Sequence, residues 1–203
     1  MNEELYKLHD ITLPPSYEPN PDQPRSLRDI KVHNYTRALY EEYGIKSHLD
    51  VGAWDGWLSL KMQKEYPDNI YTNVEWVYAL CHSTERYVRR KNIKNFTVIN
   101  GDISDMKTMQ GIPKHDLVTA YEILEHIPYE EIPKILSNLE GFSSSVVSVI
   151  LPAQDHRENP QHQWTPNSKT ISELFSKKNP RIHRYAYPPC SRLPGNFLIS
   201  WKV

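Results

Sequence analysis

The sequence predicts an α/β fold, a doubly wound sheet that is mostly parallel and ends in an antiparallel edge hairpin. Three observations predict it. Residues 46–57 read KSHLDVGAWDGW, an apolar run that closes on Asp50 and enters a turn holding Gly52 and Gly56 before an amphipathic segment opens. Glycine lets backbone turn tightly and lets a ligand approach the main chain, and a new helix offers unpaired N–H groups at its first turn. Downstream, short strand-like runs alternate with helical segments, the signature of parallel strands joined by crossovers. The last two runs have no helix between them, so they pair as an antiparallel hairpin at one edge.

The elements follow in order. A short helix is expected near 3–8, then an arm over residues 14–24 whose prolines, Pro14, Pro15, Pro19, Pro21 and Pro24, remove donors and resist helix. The arm, residues 1–25, is either a tail or a lid, and residues 26–203 form one domain. Ser26 is placed as an N-cap with Asp29 three residues on, and Gly44 ends the helix between them. Strands are predicted over 47–51, 70–75, 96–100, 115–121 and 146–151. Helices are predicted over 57–66, 77–91, 130–139 and 170–178. Two final strands are predicted over 181–187 and 196–203, joined by the turn-rich PPCSRLPG.

The chain of 203 residues is long enough for one domain with a proper core. Its net charge of -1 leaves no basic field for strong nonspecific nucleic-acid binding. Two cysteines, Cys81 and Cys190, stand far apart, so neither a disulfide framework nor a zinc ribbon is expected. A reducing, cytoplasmic setting is the expectation. No apolar run long enough to span a bilayer is present, so no membrane partner is expected.

Several polar residues fall at predicted strand ends, where ligands of open α/β sheets bind. Glu75 ends the second strand; a carboxylate there accepts from ribose hydroxyls, unless it is a solvated strand-end acid. Trp76 after it either packs on an adenine face or belongs to the core. Asp102 follows the third strand and has two readings, adenine-amine acceptor and N-cap, with the Ile103 N–H facing a ring nitrogen. Tyr121 and the segment Glu122–His126 follow the fourth strand, nearest the switch point. Glu122, Glu125 and His126 share one side if that segment is a helical turn, as a base cluster, a metal site, or loop-shaping hydrogen bonds. His156 and His162 lie in the loop after the fifth strand as candidate substrate contacts.

Taken together, these residues resemble the class I S-adenosylmethionine-dependent methyltransferases over about 47–151. The resemblance rests on Asp50-Val51-Gly52, Gly56, Glu75, Gly101-Asp102-Ile103 and the EILEHIP segment over 122–128. It implies that Gly52 and Gly56, with Asp50, hold the methionine portion of the cofactor, that Glu75 holds its ribose, and that Asp102 and Ile103 meet its adenine. Trp76 and Tyr121 complete the expected cofactor set. The implied activity is methyl transfer from S-adenosylmethionine to an unidentified small-molecule or macromolecular acceptor, with Glu122, His126 and His162 as candidate bases. Trp54 departs from the family pattern, since it stands where a middle glycine is common. The E-x-x-E-H spelling also resembles the metal-binding segment of small-RNA 2′-O-methyltransferases, with His162 as a further candidate ligand. No metal is expected, because transfer from a sulfonium needs no Lewis acid unless the nucleophile is poor. The rival readings are a non-catalytic adenosylmethionine-binding module and an NAD-dependent oxidoreductase. The latter's G-x-G-x-x-G fingerprint is not met by Gly52-Ala53-Trp54-Asp55-Gly56.

Overall fold

The computed structural model of the chain describes residues 13–14, 16–24, 26–105, 107–153, 161–185 and 195–203. The predicted helix near 3–8, His156, Cys190 and most of the PPCSRLPG turn lie outside the described residues. Ser26 caps α1 (Leu27–Tyr43) through a reciprocal box with Asp29, and Gly44 closes it in the left-handed conformation at φ 64°. Then come β1 (Ser47–Val51), α2 (Trp57–Glu65), β2 (Ile70–Glu75), α3 (Tyr78–Arg90), β3 (Phe96–Asn100) and β4 (His115–Tyr121). The second half runs α4 (Ile132–Gly141), β5 (Ser143–Pro152), α5 (Ser168–Phe175), β6 (Arg181–Tyr185) and β7 (Asn196–Lys202).

The seven strands form one sheet in the order β3-β2-β1-β4-β5-β7-β6. Strands β3 through β5 are parallel, and β7 runs antiparallel to both β5 and β6. The predicted edge hairpin is therefore present, with β7 inserted beside β5. Strand order reverses between β1 and β4, which opens a crevice at their carboxyl ends.

Burial on both faces explains the near-continuous apolar stretch Val146–Leu151 of β5, whereas β1 and β4 also bury polar side chains, His48, Asp50, His115 and Thr119. One core gathers Leu49, Val118, Val147, Leu136 and Phe175; the other gathers Tyr40, Leu60, Met62, Tyr71 and Leu117. Three elements differ from expectation. Helix α5 runs Ser168–Phe175, starting two residues early behind the Asn167 cap and giving way to a 3₁₀ turn over Ser176–Lys178. Strand β5 starts at Ser143, because the polar Ser143–Ser145 stretch pairs by backbone rather than by apolar burial. Helix α4 starts at Ile132, since Pro128 first sets a short 3₁₀ turn over Tyr129–Glu131. No helix among the described residues is long and apolar enough to cross a membrane.

Candidate functional site

The loop between β1 and α2 is the centre of the site. Gly52, Trp54 and Gly56 all take left-handed backbone, at φ 69°, 53° and 71°. Trp54, which stands where a middle glycine is common, is thus a non-glycine residue in left-handed backbone and carries a strain of order 1 kcal/mol. The loop is held in place by Gly52 and Ala53 N–H donating to Val74 O, and by Trp54 N–H donating to Glu75 Oε2 at 2.8 Å. Gly52 has no room for a side chain: a Cβ there stands 2.0 Å from Ile123 Cδ1.

Glu75 is buried, only 3% exposed. This corrects the solvated strand-end reading. Its Oε1 accepts from Val77 N–H at 3.0 Å while Oε2 takes Trp54 N–H. Burial pushes its carboxyl up to about 7 against the opposing pull of those N–H donors. It lines a cavity of about 290 Å³ with Gly52, Trp54, Trp76, Asp102, Ile103 and His126. Asp102 Oδ1 accepts from Ser104 N–H at 2.8 Å, shaping the turn after β3, and the residue lines the same cavity.

Asp50 and Tyr121 lie on a second, adjoining cavity of about 340 Å³, which shares Gly52, Trp54, Glu122 and Ile123 with the first. Asp50 is locked from behind. Ser59 and Thr119 hydroxyls donate to its two oxygens at 2.9 and 2.7 Å. His48 Nε2 donates to Thr119, and Tyr40 O–H donates to His48 Nδ1. Burial pushes Asp50 up to about 6 and His48 down to about 3, so the imidazole in this chain is neutral. Tyr121 O–H reaches Ser148 and Thr36 rather than the first cavity.

The segment after β4 is not one helical turn with three side chains on one side. Glu122 is left-handed at φ 57°, and only Leu124–His126 form a short 3₁₀ turn. Glu122 therefore points away from its neighbours, ion-paired with Arg28 and accepting from Asn196 Nδ2 at 3.0 Å. Glu125, His126 and His162 do come together, with one ligand atom from each lying within 4.8 Å of the others. His126 Nδ1 donates to Gln161 O at 3.2 Å, which leaves Nε2 as the lone-pair nitrogen, and burial lowers its basicity. Glu125 is buried with no partner at Oε2, and its carboxyl is raised well above the ordinary range by desolvation, with the Glu122 charge adding to it.

The described part of the arm is neither loose nor over the cavities. Tyr17 O–H donates to Asp55 Oδ2 at 2.7 Å, Ser83 and Arg86 donate to Tyr17 O, Arg90 pairs with Glu18, and Lys64 with Asp22. No described arm residue lines either cavity. The arm is a strap on the flank of the glycine loop. The sequence carried no signal for this, nor for Arg28, whose partner is distant along the chain.

Comparison with known proteins agrees with this geometry. No family model matches the chain. A curated relative, the tRNA (guanine-N(7)-)-methyltransferase of Thermosynechococcus vestitus, is 26% identical over 104 residues, covering 50% of this chain and 48% of that protein. The chain thus aligns with about half the length of that relative. The magnesium protoporphyrin IX methyltransferase of Synechocystis PCC 6803, crystallised with bound SAH, superposes with a TM-score of 0.66 at 14% identity, over 86% of this chain and 81% of that one. The methyltransferase domain of bacterial CtHen1 superposes with a TM-score of 0.67 at 12% identity, over 91% of this chain and 100% of that one. The fold is that of the Rossmann-like class I methyltransferases, and the resemblance drawn from the sequence is borne out at that level.

Proposed function

We propose that this chain binds S-adenosylmethionine in the first cavity and transfers its methyl group to an acceptor. The observation that carries the reading is the coupling of the glycine loop to Glu75. One carboxylate both anchors the loop through Trp54 N–H and presents itself to the cavity, with Asp102 and Ile103 at the next strand end. The named relatives support it: all three are methyltransferases, and one was crystallised with SAH. The oxidoreductase reading is not favoured by these neighbours, and a non-catalytic module leaves His126 at the cavity, with His162 packed against it, without a role.

In the reaction an acceptor lone pair attacks the methyl carbon, the carbon–sulfur bond breaks, and sulfur leaves as a neutral thioether. The protein's part is alignment and exclusion of water. If the acceptor carries a proton, His126 Nε2 is the base: it is neutral, its tautomer is set by Gln161 O, and it lines the cavity. His162 packs edge-on at 5.0 Å between ring centroids and supports it. Glu122, already engaged by Arg28 and Asn196, is set aside from that role. Calorimetry with S-adenosylmethionine, S-adenosylhomocysteine and NAD tests the reading. Binding of the first two and not of NAD is expected; NAD binding alone sinks it.

A second reading has a specific observation behind it. Glu125, His126 and His162 fit a divalent cation in donor type and spacing, and the Nδ1–H bond to a carbonyl is the usual support of a metal-binding imidazole. A cation there supplies Lewis acidity for a poor nucleophile such as a ribose hydroxyl. Activity that survives exhaustive chelation keeps the metal-free reading, and activity restored only by a divalent cation replaces it.

A further inference from the structure

The net charge of -1 averages over an uneven surface. At the β7–β6 edge of the sheet, three cations rest on aromatic rings instead of carboxylates. Lys31 Nζ of α1 lies 4.8 Å from the centre of the Tyr185 ring, and Lys202 Nζ of β7 lies 5.4 Å from that of Tyr43. The Arg184 guanidinium of β6 lies 5.9 Å from that of Phe197. All three residues are exposed, and none has a carboxylate partner among the described residues. A carboxylate cancels a cation's charge, whereas a neutral ring holds the cation in place and leaves its charge for an outside anion. Arg28 and Arg181 beside them show the alternative, neutralised by Glu122 and Glu42. We infer that this edge is a docking strip for a single-stranded nucleic acid, with phosphates at Lys31, Arg184 and Lys202 and an unpaired nucleotide delivered to the site as methyl acceptor. Its role as acceptor rests on the methyl-transfer reading above; the docking does not.

Register gives the strip its direction. Tyr185 of β6 stands opposite Asn196 of β7, and Arg181 opposite Ser200. Side chains alternate along a strand, so Arg181, His183 and Tyr185 share the face that meets Glu42, Tyr35 and Lys31 of α1. Arg184 faces the other side, so the charge wraps the free edge of β6. One end of the strip reaches the site, because Asn196 Nδ2 donates to Glu122 at 3.0 Å and Glu122 lines both cavities. The other end is Lys202 over Tyr43, at the far end of α1. From Lys31 to Tyr43 the helix rises about 18 Å. That length matches about five phosphates at the ~3.4 Å spacing of a stacked strand, a reach for a polymer rather than a small anion.

Two features select a single nucleic-acid strand. His183 is exposed between the cations, a planar ring of the kind on which unpaired bases stack. A nucleotide enters a cavity of about 290 Å³ only when it is out of a duplex. Charge on an edge strand also blocks strand-to-strand aggregation. That role belongs to β6 and does not account for Lys31 on α1 or Lys202 on β7. Three uncompensated cations give modest, salt-sensitive binding, in keeping with a chain that has no broad basic field.

The probe is a fluorescently labelled single-stranded RNA of roughly ten nucleotides and mixed sequence. It is titrated by anisotropy into the full chain, without methyl donor, between about 50 and about 200 mM salt. Three phosphate contacts give log affinity against log salt a slope of about −2. Lys31→Gln, Arg184→Gln and Lys202→Gln are each expected to lower its magnitude by about 0.7, and the triple variant to lose tenfold or more in affinity at the lower salt. His183→Ala weakens binding without changing the slope. Lys94→Gln, exposed just before β3 at the opposite edge, changes neither, and melting temperature confirms that each variant is folded. No saturable binding at the lower salt, an unchanged slope in the triple variant, or an equal loss in Lys94→Gln overturns the inference. So does displacement of the probe by polyglutamate, at equal charge, as readily as by unlabelled RNA. If the RNA binds as expected and S-adenosylhomocysteine does not, the docking strip stands and the methyl-donor reading falls; if only S-adenosylhomocysteine binds, the strip falls alone.

Discussion

Glu75 concentrates the site's electrostatics in one side chain. Burial holds its carboxyl at about 7, well above the ordinary value, although two backbone N–H groups favour its charged form. Ribose hydroxyls donate to a carboxylate, so ligand binding requires the ionised form. The sign follows. Below pH 7 the free protein carries a proton there that binding must release, and affinity falls by up to tenfold per pH unit; above pH 7 it levels off. Calorimetry between pH 5.5 and 8.5 reads this slope directly, and Glu75→Gln flattens it. A wild-type affinity independent of pH removes Glu75 from the ribose. Glu75→Ala costs about 1.5–3 kcal/mol of cofactor affinity. Because the residue is buried and anchors Trp54 N–H, that variant also melts earlier, a consequence the sequence did not show. The position of Glu75 was legible, since the second strand ended there. Its burial was not, because that depends on how the loop before α2 folds over it.

At the scale of elements, the strand–loop–helix unit β1–α2 was legible almost to the residue. Its strand is buried on both faces, apolar at Leu49 and Val51 and polar at His48 and Asp50, and its glycines mark positions where side chains do not fit. Gly52 and Gly44 separate the two reasons a glycine is needed. Both have positive φ, but a Cβ at Gly44 meets nothing within 4 Å, while one at Gly52 meets Ile123 at 2.0 Å. Gly44→Ala is therefore expected to cost about 1–2 kcal/mol of stability from backbone strain alone, with ligand binding untouched. Gly52→Ala adds a clash at the cavity wall, costing a further 1–3 kcal/mol or so, and it displaces Ile123 into the site. Thermal melts paired with ligand titration distinguish them. Equal effects of the two substitutions on binding contradict the packing described at Gly52. The segment after β4 was the least legible element. Spacing alone put Glu122, Glu125 and His126 on one face, whereas the left-handed turn at Glu122 sends it to Arg28 and leaves the other two with His162.

At the scale of the molecule, sheet order decides what the sequence could show. Local periodicity reports strands and helices, and right-handed crossovers then restrict the order in which parallel strands assemble. Contacts between segments far apart in sequence have no such local trace, and the arm is the main case. Its prolines announce extended backbone, but nothing in residues 14–24 announces that Tyr17 meets Asp55 beside the glycine loop. The strap grips α2 and α3 from outside: Tyr17 accepts from Ser83 and Arg86, Glu18 pairs with Arg90, and Asp22 pairs with Lys64. The Glu18 and Asp22 pairs lie near solvent and contribute little each. The Tyr17–Asp55 bond is different, because Asp55 is buried and its other oxygen accepts from Trp57 N–H at 3.2 Å, at the start of α2. Removing residues 1–24 thus leaves both cores intact but frees one side of the loop that faces the ligand. The expected outcome is a folded protein with a slightly lower melting temperature and weaker S-adenosylhomocysteine binding. Tyr17→Phe in the full chain, which removes only the hydroxyl, should reproduce part of the binding loss. Were the truncated chain to bind as tightly as the full one, the strap would be a packing feature with no hold on the loop.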